Sequence, residues 1–314
     1  MSLLAYVFKR LLIGIPIVFF VTIILFYIMY ILPGDPIKIL LAGERVTPER
    51  IEALRREWGL DQPVHVQYFY WLSRVVRGDL GISIVARQPV TLLISQRLPY
   101  TLALMLTSIL LAYIIGILTG LVAALMRGSL VDTALSTMAI VFYSIPGFWL
   151  GLILMLIFGY YLRLLPISGY EGPQSLVLPA LALALPSSGY IMRLTRAEMI
   201  EVLNEDYIRT ARGRGLSESR VLLVHALRNA IIPVVVMFFL DLPWLVGGAV
   251  VIETLFALPG MGRLLYISIL KQDYPVVQGI VLIITVLVVV CNTLGDIVVA
   301  ILDPRVRVER GEAA

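Results

Sequence analysis

The chain has 314 residues, of which 60% are hydrophobic and only 15% are charged, and its mean hydropathy is +0.94. These values exclude an ordinary soluble globular domain and indicate an integral membrane protein with room for several spans. The single cysteine, Cys291, excludes an intrachain disulfide, and a net charge of +4 in so apolar a chain reflects membrane topology rather than binding to nucleic acid.

Six apolar runs are long enough to cross a bilayer, because about 20 apolar residues in a helix span its hydrocarbon core. They cover Leu11 to Leu32, Tyr100 to Met126, Val131 to Tyr161, Leu176 to Met192, Ala230 to Ile252 and Val276 to Leu302. The first run lacks a small-residue cleavage site, which indicates a retained anchor rather than a signal peptide. The sequence therefore predicts an all-α membrane protein with six transmembrane helices.

The long loop after the first span contains two predicted helices. In "TPERIEALRREWG", Thr47 is placed as N-cap, Pro48 opens the first turn and Gly59 follows the end. In "PVHVQYFYWLSRVVRGDLG", apolar residues recur at helical spacing and four aromatic residues cluster, which favours a helix at the membrane surface. Two interpretations of this second helix stay open: a docking or gating surface, or a helix that merely rests on lipid.

Basic residues indicate the orientation of the chain. Lys9, Arg10, Arg127 and many further arginines flank the spans on one side, whereas the short loops on the other side hold only Arg163, Arg263 and Lys271. Because cytoplasmic flanks carry an excess of Lys and Arg, both termini are predicted to lie in the cytoplasm.

One short basic segment, "DYIRTARGRGLSESR", lies between the fourth and fifth spans and is therefore predicted to face the cytoplasm. We expect Asn204 to cap a short helix that Gly213 and Gly215 end, and Ser217 to cap a second helix. Acidic Glu205 and Asp206 in the first turn, with Arg209, Arg212 and Arg214 towards the end, suit the helix dipole. The alternative is a basic loop anchored to anionic lipid headgroups.

This segment carries a resemblance. "DYIRTARGRGLSESRVLLVHALRNAIIP" resembles the cytoplasmic coupling loop, or EAA loop, of binding-protein-dependent ABC importer permeases, in particular the dipeptide, oligopeptide and nickel group. Further stretches resemble that group in the same order: "ILPGDP", "GLDQPVHVQYFYWLSRVVRGDLGIS", "LLPIS", "GGAVVIETLFALPGMGRLL", "DYPVVQG" and "LDPRVR". Arg209-Thr210-Ala211 replaces Glu-Ala-Ala, and Arg228 replaces a proline. Because the peptide-type group shares both departures, they argue against a sugar- or phosphate-type permease.

The resemblance implies a type I ABC importer transmembrane fold with a large helical extracytoplasmic loop. Its implied segments are an anchor helix at 1–32, the loop at 33–98, the transmembrane domain at 99–303 with its coupling loop at 204–228, and a cytoplasmic tail at 304–314. It also implies the partners: a second homologous permease, two ABC ATPases and an extracytoplasmic solute-binding protein, in a prokaryotic plasma membrane. That binding protein would dock near the first loop and "ETLFALPGMG".

The resemblance further implies that the coupling loop sits in a cleft of one ATPase. The residues assigned to this contact are Glu205, Asp206, Tyr207, Arg209, Thr210, Ala211, Arg212, Gly215, Leu216 and Ser217, with Tyr207, Ile208, Ala211 and Leu216 as the apolar centre and Gly215 permitting close approach. The chain has no G-x-x-x-x-G-K-[ST] motif that could hold ATP phosphates. It is therefore predicted to be a non-catalytic subunit without a cofactor, with ATP and magnesium bound by the partner ATPases.

Three residues are candidates for the translocation path or its gates. Asp241 lies mid-span, where an ionisable residue faces a bundle interior or a wet cavity, so it either meets substrate or pairs with a polar group of the partner permease. Glu253, before Pro259 and Gly260, is expected to shape an outer gate or re-entrant turn. Pro146 in "YSIPGF" is expected to kink the third span, either at a cavity or to relieve packing. Asp296 is assigned to helix packing.

Rival functions remain. Asp241 and Asp296 raise the possibility of an intramembrane aspartyl protease, although their neighbours, Leu240 and Leu294-Gly295, differ from the Tyr-Asp and Gly-x-Gly-Asp motifs of such enzymes. A secondary transporter or channel is a further alternative. Within the importer family, peptides are the expected substrate, and oligosaccharides or nickel chelates are the alternatives.

Overall fold

The computed structural model describes residues 3–31, 47–57 and 61–302, and those residues form an almost entirely helical protein. The "ILPGDP" stretch apart from its first residue, most of "LDPRVR", the predicted helix end at Gly59 and the tail at 304–314 lie outside these residues. Strands are absent from the described part, which has one isolated antiparallel bridge between Ile82 and Pro89.

The longer helices follow the predicted order. They are α1 (Leu3–Ile31), α2 (Pro48–Glu57), α3 (Val64–Val76), α4 (Val90–Leu125), α5 (Leu130–Ser144), α6 (Gly147–Leu154), α7 (Val177–Leu203), α8 (Asp206–Gly213), α9 (Leu227–Leu255), α10 (Met261–Leu270) and α11 (Tyr274–Leu302). Among the described residues, five helical segments are long and apolar enough to cross a membrane, and a bent pair makes a sixth when it is counted as one span.

That bent pair is the third predicted span, which is broken rather than gently kinked. Leu130–Ser144 and Gly147–Tyr161 meet at an angle of 106°. Proline disfavours the helical conformation in the residue before it, and Ile145 adopts an extended backbone with φ −88° and ψ 127°. Pro146 therefore ends one helix and begins the next, and a π-helical segment, Met155–Tyr161, completes the second arm.

Helices α4 and α7 form the centre of the bundle and approach closely at small residues. A Cβ atom added to Gly116 would lie 2.7 Å from Ile191, and one added to Gly120 would lie 2.6 Å from the carbonyl oxygen of Met192. Helices α7 and α5 also approach closely at a glycine, because a Cβ atom added to Gly189 would overlap the Ala139 carbonyl oxygen. Since lipid tails provide no hydrophobic drive for helices to associate, such close packing holds the bundle together.

Helix α3 packs against α1 on the outer side of the bundle. Tyr68 is 4% exposed, shares a hydrogen bond of 2.9 Å with the Thr22 hydroxyl and lies edge-on to the Phe26 ring at 5.5 Å. One face of α3 is therefore fixed to protein, and both interpretations of its other face, a docking surface or a face that rests on lipid, stay predictions. Its opposite face still exposes Phe69 and Tyr70.

Candidate functional site: the coupling loop and the membrane carboxylates

The coupling loop, residues 204–228, is a helix-turn-helix held against the bundle. Helix α8 buries Ile208 and Ala211, which are 0% and 8% exposed, in a cluster with Ala124 of α4 and Met199 of α7. Leu216 packs against the same cluster. The prediction that Ile208 and Ala211 form apolar contacts with an ATPase is therefore wrong, because both side chains are used to attach the loop to its own chain.

The predicted caps of the loop are also corrected. Asn204 ends α7, and its side-chain amide donates a hydrogen bond to the Ile200 carbonyl at 2.8 Å. Glu205 occupies the N-cap position of α8, and Ser217 occupies the N-cap position of the next helical turn, but neither side chain makes a capping hydrogen bond. Helix α8 begins one residue later than predicted, so Glu205 rather than Asn204 precedes its first turn.

The outer face of α8 is exposed and charged. The side chains of Asp206 and Arg209 are 96% and 72% exposed, and Tyr207, Thr210 and Arg214 are exposed beside them. Arg212 lies at the edge of this face and donates hydrogen bonds of 2.6 and 3.2 Å to the two carboxylate oxygens of Glu218. These hydrogen bonds raise the pKa of the Arg212 guanidinium. Arg212 therefore fixes the angle of the turn as well as bordering the surface.

Gly215 forms the turn itself. Its φ is +79°, a left-handed conformation that favours glycine, and a Cβ atom added there would meet no heavy atom within 4 Å. The turn is closed by a hydrogen bond of 2.9 Å from the Gly215 N–H to the Arg212 carbonyl. The backbone at this point is accordingly presented to open space rather than packed.

A single helical turn, Glu218–Arg220, and a π-helical segment, Val221–Ala226, lead from the loop into α9. Beside this junction lies a cavity of about 620 Å³ whose lining includes Tyr207, His225 and Arg228. The Asn229 amide donates to the Tyr207 hydroxyl at 2.8 Å, which links α8 to the first turns of α9. The loop and α9 thus form one connected unit.

An ion pair that the sequence reasoning missed fixes the first turn of α5. Asp132, 5% exposed, accepts hydrogen bonds of 2.6 and 2.8 Å from Arg196 of α7 and one of 2.9 Å from the Gly128 N–H. Asp132 is an isolated acidic residue beside an apolar run, three positions after Ser129, and this was the signal available in the sequence.

Asp241 lies at the midpoint of α9 and is paired within its own chain. The hydroxyl of Tyr113 in α4 donates a hydrogen bond of 2.6 Å to Asp241 Oδ2. Tyr113 itself is 5% exposed and was not singled out from the sequence. Asp296 has a different partner: it forms an ion pair of 3.0 Å with Arg10 of α1. The two aspartates therefore have different partners and do not form a catalytic dyad.

Glu253 closes the turn between α9 and α10 and is only 1% exposed. Its carboxylate accepts a hydrogen bond of 2.6 Å from the Thr101 hydroxyl and one of 3.1 Å from the Arg263 N–H. Gly260 packs so closely that an added Cβ atom would lie 2.1 Å from the carboxyl carbon. Glu253 thus holds the turn between α9 and α10, and its role in an outer gate stays a prediction.

A second buried carboxylate on the same side, Asp273, was missed. It lies between α10 and α11 and accepts hydrogen bonds from the Ser83 hydroxyl, the Ile84 N–H at 3.0 Å and the Val85 N–H at 3.3 Å. These contacts fix the end of the first loop, residues 81–90, to the connection between α10 and α11. Next to them, hydrogen bonds from the Gly81 N–H and from Arg74 lower the pKa of Asp79.

Comparison with known proteins identifies this arrangement. Residues 116–308 match the model of the family described as binding-protein-dependent transport system inner membrane component, and residues 3–105 match the model of its N-terminal region. The chain belongs to this family. The permease is therefore the membrane component of an ABC importer, as its coupling loop predicted, and the aspartyl protease hypothesis is replaced.

Relatives match the permease over almost its entire length. A peptide transport system permease protein of Brucella abortus (strain 2308) is 45% identical over 96% of this chain and 99% of its own length. The glutathione transport system permease protein GsiC of Escherichia coli (strain K12) is 41% identical over 97% of this chain and 99% of its own.

Solved structures support the fold. A chain of the MetNI methionine ABC transporter in an inward-facing conformation has a TM-score of 0.56 and 20% identity, covering 67% of the permease and 96% of that chain. At this identity the likeness concerns architecture alone. The predicted all-helical type I importer fold is confirmed.

Proposed function

We propose that this permease forms half of the translocation pathway of an ATP-driven importer that takes up short peptides. The observation that carries the proposal is the coupling loop, whose inner face is buried against the permease while its outer face and the Gly215 backbone are open. The peptide assignment is supported by relatives at 45% and 41% identity that are named for peptide and glutathione transport.

The proposed complex contains a second homologous permease, two cytoplasmic ABC ATPases that bind ATP and magnesium, and an extracytoplasmic solute-binding protein. Closure of the ATPases on ATP moves α8. Because Arg212 is tied to Glu218 and Tyr207 to Asn229, a displacement of α8 is transmitted to α9. Glu205, Thr210 and Ser217 complete the ATPase contact at the exposed edge of the loop.

Gating is proposed at two features: the turn that Glu253 holds and the bend at Pro146 in the middle of the third span. The turn held by Glu253 connects α9 to α10, so a rotation of α9 would move the turn as one piece. At Pro146 the third span is interrupted, and the helix is not continuous across the bend. The two arms can therefore change their angle at this point.

The proposal is tested by purifying the tagged permease from detergent-solubilised host membranes and identifying the bound proteins by mass spectrometry. We expect a second permease, two ATPases and a binding protein. The complex is then reconstituted in proteoliposomes. Uptake of labelled trialanine is expected to require ATP on the side of the membrane where the ATPases lie, and to be unaffected by ionophores. Uptake that is driven by an ion gradient without ATPases contradicts the proposal.

A further inference from the structure

Only one of the two carboxylate oxygens of Asp241 accepts a hydrogen bond from a described residue. One oxygen, Oδ2, accepts the hydrogen bond from Tyr113, whereas no described residue donates a hydrogen bond to the other oxygen, Oδ1, or forms an ion pair with the side chain. Asp241 is only partly buried at the midpoint of α9. A carboxylate at this depth is costly unless it faces a wet cavity and finds a partner there.

The surroundings hold the carboxylate in one position. The Tyr113 ring packs edge-on against Phe238 at 5.0 Å and lies in a buried cluster with Ile109, Ala112 and Val234. Because this packing holds the Tyr113 ring, its hydroxyl oxygen has a defined position, and the hydrogen bond to Oδ2 restrains the carboxylate of Asp241. A pre-positioned acceptor needs little reorganisation to bind a cationic ligand.

The chemistry of that ligand follows from the donor set. Residues 3–31, 47–57 and 61–302 contain no group of three or more His, Cys, Asp or Glu side chains placed to hold a metal ion. A single carboxylate oxygen beside aromatic rings instead suits a primary ammonium group, which donates N–H groups to the carboxylate and is attracted to ring faces.

We propose that Asp241 binds the terminal ammonium group of the peptide during its passage, with Tyr113 as the residue that positions the carboxylate. This site rests on the proposed function, since it requires the permease to carry peptides. Oδ1 accepts from the ammonium while Oδ2 keeps the hydrogen bond from Tyr113. Neutral solutes without an amino group gain nothing from this contact.

The test compares trialanine with N-acetyl-trialanine in the reconstituted importer that includes its binding protein. The measured quantity is the uptake rate of trialanine divided by the uptake rate of N-acetyl-trialanine. Because the same binding protein is used throughout, a change in this ratio between variants reports on the permease. Asp241→Asn is expected to lower the ratio by about tenfold, which corresponds to about 1.4 kcal/mol. Tyr113→Phe is expected to lower it less while uptake of the acetylated peptide is retained.

Asp296→Asn provides the matched control, since it neutralises another intramembrane aspartate whose partner is Arg10. It is expected to leave the ratio unchanged. An unchanged ratio in Asp241→Asn, with normal uptake of trialanine, overturns the inference but leaves the proposed function intact. Failure of the wild-type importer to take up either peptide contradicts the proposed function and the inference together.

A second measurement covers the case in which Asp241→Asn does not assemble. In the wild-type permease, modification of the Asp241 carboxyl group by dicyclohexylcarbodiimide is followed by peptide mass spectrometry. We expect trialanine to slow the reaction and N-acetyl-trialanine to have no such effect. Equal protection by both peptides, or no reaction at all, overturns the inference.

Discussion

Gly215 combines a left-handed backbone with open space, two properties that distinguish it from the glycines buried between helices. The left-handed conformation costs a side chain about 1 kcal/mol, which the folded loop can tolerate. The open space matters more, because it is where a partner backbone would approach. The hypothesis that this loop contacts an ATPase can therefore be tested at Gly215, because a side chain added there would meet the ATPase and not the permease itself.

Gly215→Leu is expected to leave the permease inserted and to reduce ATP-driven uptake by more than about tenfold, because a loss of roughly 1.4 kcal/mol of contact already gives that factor. Uptake and ATP hydrolysis are measured together in proteoliposomes, and hydrolysis is expected to continue without transport.

Gly128→Leu is the matched control for this change. Gly128 has φ +80°, no heavy atom within 4 Å of an added Cβ atom, and a position on the same side of the bundle. It carries the same backbone strain outside the coupling loop, so uptake is expected to persist. Full uptake by Gly215→Leu contradicts the assignment of the loop.

Among the helices, the contact between α5 and α7 depends on a single hydrogen atom at Gly189. The Ala139 carbonyl oxygen lies where a Cβ atom would be, and a backbone atom cannot rotate away as a flexible side chain can. The Asp132–Arg196 ion pair joins the same two helices near the start of α5.

Gly189→Ala is expected to force α5 and α7 apart and to lower the stability of the permease by about 1 to 3 kcal/mol, the usual cost of overpacking. The measurement is the thermal unfolding midpoint of the permease in detergent. Gly247→Ala is the control, because an added Cβ atom at Gly247 meets no heavy atom within 4 Å. Equal midpoints for the two variants would show that the close contact is not stabilising.

The first loop and helices α10 and α11 are joined by Asp273, so this carboxylate acts between elements rather than within one. Asp273→Ala leaves the Ser83 hydroxyl and the Ile84 N–H without their acceptor, and each unsatisfied buried group costs about 1 to 3 kcal/mol. We expect faster amide hydrogen exchange across residues 81–90, measured by mass spectrometry.

Asp79→Ala is the comparison for that experiment. It removes an exposed carboxylate that contacts Arg74 and Gly81 in the same loop. Because exposed pairs contribute little, exchange across 81–90 is expected to change less than in Asp273→Ala. The reverse order would mean that the buried carboxylate does not hold the loop.

For the whole molecule, the excess of basic residues on one side predicts that both termini and the coupling loop lie in the cytoplasm and that the first loop lies outside. In a Cys291→Ala background, Gln88→Cys is expected to react with a membrane-impermeant maleimide on intact cells. Glu201→Cys is expected to react only after permeabilisation. Both positions are exposed, so burial does not explain a difference between them. Labelling of Glu201→Cys on intact cells contradicts the orientation.

The amino-acid sequence by itself determined the class of protein, the order of the membrane helices, the break at Pro146 and the helical coupling loop. These features follow from hydropathy, charge and proline chemistry, which are properties of a local segment. The family resemblance of the coupling loop added the function. Helix ends were less well predicted. Helix α4 begins at Val90 rather than at Tyr100, and α7 continues to Leu203 rather than ending at Met192.

Only the tertiary structure decided which polar groups meet and which face of each helix is buried. Tyr113 and Asp241 are 128 residues apart, and Ser83 and Asp273 are 190 apart, so no local pattern pairs them. Likewise, Ala211 looked available for an ATPase contact until the packing of α8 placed it against the bundle. The physical reason is that burial depends on how distant helices pack, whereas hydropathy depends on each segment alone.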